Sequence, residues 1–285
     1  MLTLVVLAAM VIYKQQYHAS YSNKRRLLDA NKEQISCLIA GSSHTYQGIN
    51  PALFPIKTIN IAEVNKPIQI DIEIIEKYIN QLPNLKYVII PIDYFTFYFS
   101  GLSELFSPRY YHHWNLKEGY INAFYLKRLH VFTCGFSLTE YDKNVDQTPL
   151  GYWPHYENLA SLTEDLKNTN CKIRLDAWNR FWIDTSNTSF IYKRILDLTA
   201  LLAKKKIEPI FVTMPVCSKF YNYFDSSLLS KNALLLNQII AITRAKYINL
   251  QNNPVFKSDS LFADIDHLND KGATIATNII KDLLN

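Results

Sequence analysis

The sequence is poor in the features that mark several protein classes. Only 7 of its 285 residues are glycine, and its 4 cysteines form no CxxC pair. A glycine-rich phosphate loop and the spacing of a structural zinc site are therefore both missing. No stretch of about 20 uninterrupted apolar residues occurs, which excludes a polytopic membrane protein. With 48% hydrophobic and 19% charged residues, the composition also excludes a disordered chain and a coiled coil.

The chain carries a formal net charge of +5, but its basic residues are scattered. The clusters Lys24–Arg26 and Lys204–Lys206 are short and far apart, whereas nucleic-acid binding needs a clustered basic face. We therefore expect no nucleic-acid partner. The two clusters are interpreted as solvated helix ends or as charge beside a membrane.

The cysteines do not reveal the compartment. Cys37 and Cys217 lie in or beside apolar runs, where a free cysteine usually behaves as a small buried hydrophobe. Cys134 and Cys171 lie in segments where a disulfide is plausible.

Residues 1–13 are apolar except for Thr3. As a helix they would span roughly 20 Å, short of the hydrocarbon thickness of a bilayer. A signal-peptide core and a buried helix are the simpler interpretations, but the segment lacks a basic start and is apolar on all faces. We predict an N-terminal membrane anchor, followed by a polar linker over 14–34. The basic residues after the segment would favour a cytoplasmic body, so charge alone leaves the orientation open.

From residue 35 onward, short apolar runs alternate with helical periodicity. The predicted strands are 35–40, 58–62, 87–92, 209–216 and 247–250, and the predicted helices are 68–82, 190–206, 228–246 and 270–284. This alternation predicts a three-layer α/β/α domain over 35–285, with a mostly parallel five-stranded sheet covered on both faces. Ligands bind such sheets at the carboxyl ends of the strands.

A long aromatic-rich interval, about 94–189, interrupts this rhythm. Loops of that length usually have structure of their own or act as lids, and we predict a partly helical insertion that caps the strand ends. Its aromatic residues are either a satellite core or a platform for sugar rings. His112 and His113 lack two further ligands at recognisable spacing, so no metal site is expected.

Two stretches have the composition of a catalytic site. The first predicted strand runs into Gly41-Ser42-Ser43, a tight turn that would project a serine hydroxyl from the carboxyl edge of the sheet. Asp264 and His267 precede the last helix, for which Asn269 is the predicted N-cap. At that spacing the carboxylate can hold the imidazole Nδ1–H while the other nitrogen takes the serine proton. Asp266 competes with Asp264 for this role, but adjacent residues seldom orient one another's rings.

Together the two stretches resemble the SGNH (GDSL-like) hydrolase superfamily. The resemblance implies a flavodoxin-like fold with Ser43 as nucleophile, His267 as base and Asp264 as its orienting partner. The variant motif at Gly41–His44, with Asn50-Pro51 and Phe54 after it and Asp266–Asn269 later, looks like bacterial cell-envelope members. Those relatives include anchored proteins that move acyl groups onto or off surface polysaccharides, so the resemblance implies an extracytoplasmic body.

The chain departs from the family pattern where the oxyanion donors belong. We expect Gly41, His44, Ala62 and Asp93 to line the oxyanion and substrate-binding positions. Ala62 or Glu63 stands where the family has a glycine N–H, and Asp93 stands where it has an asparagine. An ionised Asp93 would repel a developing oxyanion, and losing one donor costs about 3 kcal/mol. Asn65, His44 or the Tyr94 hydroxyl would be substitutes.

The sequence therefore predicts a serine-dependent esterase or O-acyltransferase that acts, without a cofactor, on an acylated envelope polysaccharide or a similar ester. A protein of another class stays open beside it: a non-catalytic envelope protein with this fold that binds glycan or a polysaccharide-assembly partner.

Overall fold

A computed structural model describes residues 19–100, 110, 114–116 and 150–284. Its centre is a five-stranded sheet in the order β2-β1-β3-β4-β5, with every neighbouring pair parallel. The strands are β1 (Cys37–Ile39), β2 (Thr58–Asn60), β3 (Tyr87–Pro91), β4 (Glu208–Thr213) and β5 (Lys246–Asn249). This is the flavodoxin-like strand order. After β2 has paired with one edge of β1, β3 pairs with the other edge, and the later strands continue on that side. The predicted parallel sheet is confirmed, and all five strands lie where the apolar runs placed them.

Helices cover both faces of the sheet, as predicted for a three-layer domain. The α-helices of the described residues are α1 (Ala19–Ala30), α2 (Ser43–Gly48), α3 (Ile68–Tyr78), α4 (Glu164–Phe181), α5 (Thr188–Lys204), α6 (Ser218–Tyr221), α7 (Ser226–Thr243) and α8 (Asp270–Lys281). The predicted helices over 68–82 and 270–284 each end as a single 3₁₀ turn, at Ile79–Gln81 and Asp282–Leu284.

The sheet is buried on both faces because consecutive side chains of its strands point to opposite sides. In β3, Val88 and Ile90 join one apolar cluster, whereas Ile89 joins the other. The first cluster receives side chains from α1, α3, α5 and α7, and the second from α4, α6 and α8. The described residues thus form two cores separated by one sheet.

The described part of the predicted linker 14–34 contains a packed helix. Tyr21, Lys24 and Leu28 of α1 are buried, so the described part of the predicted polar linker packs against the domain. The predicted anchor over 1–13 lies outside the described residues. Within those residues, the helices are all too short or too polar to cross a membrane.

The interval predicted as an insertion contributes α4 and the segment around Leu150 to the described structure. Leu150 O accepts a hydrogen bond from Asn60 N at the free edge of β2 (3.0 Å), and Trp153 N donates to Tyr46 O of α2 (3.2 Å). The interval therefore packs beside the carboxyl ends of β1 and β2, as a capping insertion would.

Candidate active site

The turn after β1 presents a serine at the start of a short helix. Gly41 has a φ of +124°, a conformation that side chains with a Cβ rarely adopt, and it redirects the chain at the end of the strand. Ser42 is the N-cap of α2, and its hydroxyl accepts from His44 N (3.4 Å). Ser43 is consequently the first residue of α2, and its own N–H has no acceptor within the helix.

The loop before α8 is held in a tight turn by Asp264. Its Oδ1 accepts the backbone N–H groups of Asp266 (2.9 Å) and His267 (2.8 Å). Ala263 N donates to His267 O (2.9 Å), and Asn269 caps α8 by accepting from Gly272 N (3.1 Å). These bonds hold the backbone of His267 in place at the start of α8.

Ser43, His267 and Asp264 converge although 224 positions separate the serine from the histidine. His267 Nε2 lies 2.9 Å from Ser43 Oγ, and its Nδ1 lies 2.9 Å from Asp264 Oδ2. Burial opposes ionisation of Asp264, but His267 and Arg174 outweigh it and hold the pKa of this carboxyl well below its usual range. The structure brings together the three side chains that the sequence predicted, and their catalytic roles stay a prediction.

Asp266 lies beside this triad and not within it. Its Oδ1 is 3.5 Å from His267 Nδ1, longer than the contact made by Asp264. The same oxygen lies 3.3 Å from Arg174 Nε of α4, and Oδ2 lies 3.6 Å from His44 Nε2. The carboxylate that orients His267 is therefore Asp264, and Asp266 lies between His44, Arg174 and His267.

Asp93 does not face the oxyanion position as a lone negative charge. Its Oδ2 is 3.1 Å from His44 Nδ1, and its Oδ1 accepts from Met214 N (3.2 Å). Burial lowers the pKa of His44, but the charges of Asp93 and Asp266 together with their hydrogen bonds outweigh it and raise that pKa to about 10. Asp93 therefore has the His44 ring as its partner, and the repulsion of an oxyanion by Asp93 stays a prediction. Since both ring nitrogens of His44 face carboxylates, the ring is also not a free oxyanion donor.

The predicted backbone donors after β2 already have acceptors in this structure. Ala62 N donates to Asn60 Oδ1 (2.9 Å), and Glu63 N donates to Gly41 O (3.1 Å). The expectation that Ala62 or Glu63 offers an oxyanion N–H is thus not met, because both N–H groups hold this loop against β1 and β2. The Tyr94 hydroxyl is no substitute either, since it accepts from Asp225 N (3.1 Å) away from Ser43.

Sequence reasoning missed two polar residues that hold the nucleophile in place. Asn60 donates from Nδ2 to Thr45 O (2.9 Å) and Ile49 O (3.1 Å), which ties α2 to the end of β2. Lys24 is 1% exposed, donates to Ala62 O and lies 3.6 Å from Glu63 Oε2. The cluster that contains Lys24 is interpreted from sequence as a solvated helix end or as charge beside a membrane. Asn60 lies inside the predicted strand 58–62, and its polar side chain among apolar neighbours is the local signal that could have found it.

The described aromatic residues of the interval lie in two different environments. Trp178 is 1% exposed and has ring contacts with Tyr94, Phe95 and Phe220, so this part is a satellite core. His155 instead lies beside the triad, its ring stacked on that of His267 at 6.4 Å, with Trp153 next to it at 5.0 Å. His112 and His113 lie outside the described residues.

Three side chains of the described residues have the ligand types of a metal site. His44, Asp266 and His267 place ligand atoms within 4.8 Å of one another. However, both nitrogens of His267 are taken by Ser43 and Asp264, and His44 Nδ1 is taken by Asp93. A metal at this place would have to break the serine–histidine contact, so these residues fit the triad better than a metal.

Two solved structures are similar to this chain. A GDSL-like lipase from Bacteroides thetaiotaomicron is 13% identical with a TM-score of 0.44, and the match covers 93% of this chain and 98% of the lipase. A protein provisionally assigned as an acylhydrolase, from Bacteroides fragilis, is 13% identical with a TM-score of 0.42, covering 91% of this chain and 94% of its own. No family model and no curated protein sequence matches the chain. Likeness at this level does not assign an activity, which has to rest on the side chains.

Proposed function

We propose that this chain is a serine-dependent esterase or O-acyltransferase with Ser43 as its nucleophile. The observation that carries the proposal is the 2.9 Å contact between Ser43 Oγ and His267 Nε2, with Asp264 on the opposite nitrogen of the ring. A serine, a histidine and a carboxylate in this arrangement are the parts of an acyl-transfer site on any fold. Ser43 and His267 are each 8% exposed, so the proton transfer is shielded from bulk water.

The chemistry follows from that geometry. His267 Nε2 takes the Ser43 proton as Oγ attacks the ester carbonyl, and the imidazolium is stabilised by Asp264. The tetrahedral oxyanion collapses, His267 returns the proton to the leaving alcohol, and an acyl-Ser43 ester is left. Water or a sugar hydroxyl then attacks this ester and regenerates Ser43. The Ser43 N–H, at the start of α2, is the donor closest in sequence to the developing oxyanion.

The substrate that we propose is an acylated cell-envelope polysaccharide or a similar ester. The resemblance of Gly41–His44 to envelope members of the superfamily supports this, as does the pair of rings, Trp153 and His155, beside His267. Sugar rings present apolar faces that stack on such side chains. We also propose an N-terminal membrane anchor and an extracytoplasmic body. Either water or a sugar hydroxyl accepts the acyl group.

The alternative is a non-catalytic protein of this fold that binds glycan or a polysaccharide-assembly partner. The observation that favours it is the occupied state of the Ala62 and Glu63 N–H groups, which leaves the oxyanion position short of donors. Under this alternative, Ser43 and His267 would bind a hydroxyl-rich ligand without turning it over.

Labelling with a fluorophosphonate tests the catalytic proposal, because the probe needs an activated serine and not a particular acyl group. We expect wild-type protein to be labelled, with the adduct located on Ser43 by mass spectrometry, and Ser43→Ala to lose the label. Ser42→Ala is the matched control and keeps the label. Unlabelled wild type, or a label that survives Ser43→Ala, would overturn the proposal.

A second assay separates the two functions. If acetylated glycans are not hydrolysed or transacylated, and if Ser43→Ala binds glycan as well as wild type does, the non-catalytic protein is favoured. Turnover that is lost in Ser43→Ala, with the released acyl group appearing as acid or on an added sugar, distinguishes hydrolysis from transfer.

A further inference from the structure

A second row of charged side chains runs through the site beside the triad. Asp93, His44 and Asp266 lie in line, with His44 Nδ1 3.1 Å from Asp93 and its Nε2 3.6 Å from Asp266. All three side chains are at most 3% exposed. The row ends 3.5 Å from His267 Nδ1, where Asp266 Oδ1 lies. No step of the proposed mechanism uses it.

The row changes the charge that His267 experiences. Three carboxylates, Asp93, Asp264 and Asp266, lie around the site, whereas Arg174 and the ring of His44 face them. If His44 is charged, these five groups have a net charge of −1 before the reaction. The net charge becomes zero when His267 takes the Ser43 proton. Without the charge of His44 the net charge would be −2, and this would favour protonation of His267 before substrate binds.

We propose that His44 is a positioning residue: an imidazolium, charged throughout pH 6–8.5, that balances the charges of Asp93 and Asp266 so that His267 can accept the Ser43 proton. The role rests on the proposed acyl-transfer function. His44 thus has a role in charge balance, whereas the sequence predicted that it would bind the oxyanion. His44 does not itself touch the substrate.

The surroundings of His44 favour a charged ring. Asp93 faces it from the loop after β3, and Asp266 and His267 face it from the loop before α8. Its remaining neighbours are the apolar rings of Phe95 and Trp178, at 5.4 and 5.9 Å. Two carboxylates against one imidazole favour the charged ring more strongly than burial opposes it.

Ring NMR of the full-length protein, labelled at histidine, tests the charge directly. We expect both ring nitrogens of His44 to carry protons throughout pH 6–8.5. His267 is also contacted by His155, whose Nδ1 lies 3.0 Å from Glu157, and both rings are followed in the same spectra. A neutral His44 ring at pH 7 would overturn the proposal without any variant.

Three variants test the effect on His267. His44→Gln removes the cation, so the pH midpoint at which the His267 ring titrates should rise by about one unit. Asp266→Asn removes an anion next to His267 and should lower that midpoint. His44→Gln/Asp93→Asn removes one charge of each sign and should return the midpoint toward the wild-type value. A lost packing contact would not produce shifts of opposite sign or such a return.

The outcomes separate this proposal from the proposed function. An unchanged His267 midpoint in folded His44→Gln overturns the role of His44, whatever the labelling of Ser43 shows. Absent labelling with the expected midpoints overturns the acyl-transfer function and leaves the charge role standing. If His44→Gln does not fold, Asp266→Asn decides: an unchanged or raised midpoint rejects the proposal.

Discussion

At the scale of single residues, the backbone angle of Gly41 decides where the nucleophile lies. A Cβ at this position would lie 2.4 Å from Pro91 Cγ and 2.4 Å from Thr45 Oγ1, and the φ of +124° is itself unfavourable for other residues. Thr45 Oγ1 donates to Ala40 O (2.8 Å), so the crowding atom is fixed in place. The close turn from β1 into α2 therefore depends on the absence of a side chain.

Gly41→Ala should destabilise the domain by about 2–3 kcal/mol, because it adds backbone strain and overpacking at one position. Urea denaturation measures this as a lower free energy of unfolding. Gly48→Ala is the matched control: its Cβ would crowd the flexible end of Met214, at 2.5 Å from Cε, and would lie at an ordinary contact distance of 3.6 Å from Leu268 Cδ1. It should cost less than about 1 kcal/mol. Equal losses in the two variants would contradict the importance of the Gly41 angle.

At the scale of elements, α1 is tied to the loop that follows β2. Lys24 donates to Ala62 O, lies 3.6 Å from Glu63 Oε2 and has its ammonium 3.2 Å from the centre of the Tyr46 ring. Glu63 N in turn bonds Gly41 O, the carbonyl of the nucleophile turn. α1 is therefore linked through the buried Lys24–Glu63 ion pair to the turn that carries Ser43.

Lys24→Met should lower the free energy of unfolding by about 3 kcal/mol, because it removes the cation from a buried carboxylate. Lys24→Met/Glu63→Gln should recover at least 1 kcal/mol of this, since the double variant no longer buries that charge. Chemical denaturation of the three proteins measures both effects. A double variant as unstable as the single one would show that the ion pair does not carry the contact.

The sequence was a good guide to elements and to the triad, and a poor guide to buried charge. Strand positions can be predicted from local apolar runs. Ser43 comes just after the first strand and His267 just before the last helix, so the topology of a parallel sheet places both residues at the same edge. Lys24 and the pairing of His44 with Asp93 depend on contacts between distant segments. From local composition a lysine is expected to be exposed, and an aspartate near the site is expected to repel an oxyanion. The partners that change these expectations, Glu63 for Lys24 and His44 for Asp93, are distant in sequence and cannot be found locally.

At the scale of the whole molecule, the site makes stability depend on pH. Holding three carboxylates and two cations at one edge of the sheet means that the folded chain binds protons differently from the unfolded chain. Burial raises the pKa of the Cys37 and Cys217 thiols to about 12, so these groups also destabilise the fold above their ordinary pKa of 9.0. Below pH 9 the two thiols are mostly protonated in both the folded and the unfolded chain, so the effect of His44 on stability is measured below that pH.

His44 is the group that should dominate between pH 7 and 8.5. Its pKa is about 10 in the folded chain against 6.5 as the ordinary value, so its contribution is complete below pH 6.5 and is lost as pH rises toward 10. The free energy of unfolding should therefore fall with pH across this window, by at most about 1.4 kcal/mol per unit. Urea denaturation at several pH values measures the slope. His44→Gln should flatten it, and a wild-type stability that is constant or rises between pH 7 and 8.5 would contradict the buried charge of His44.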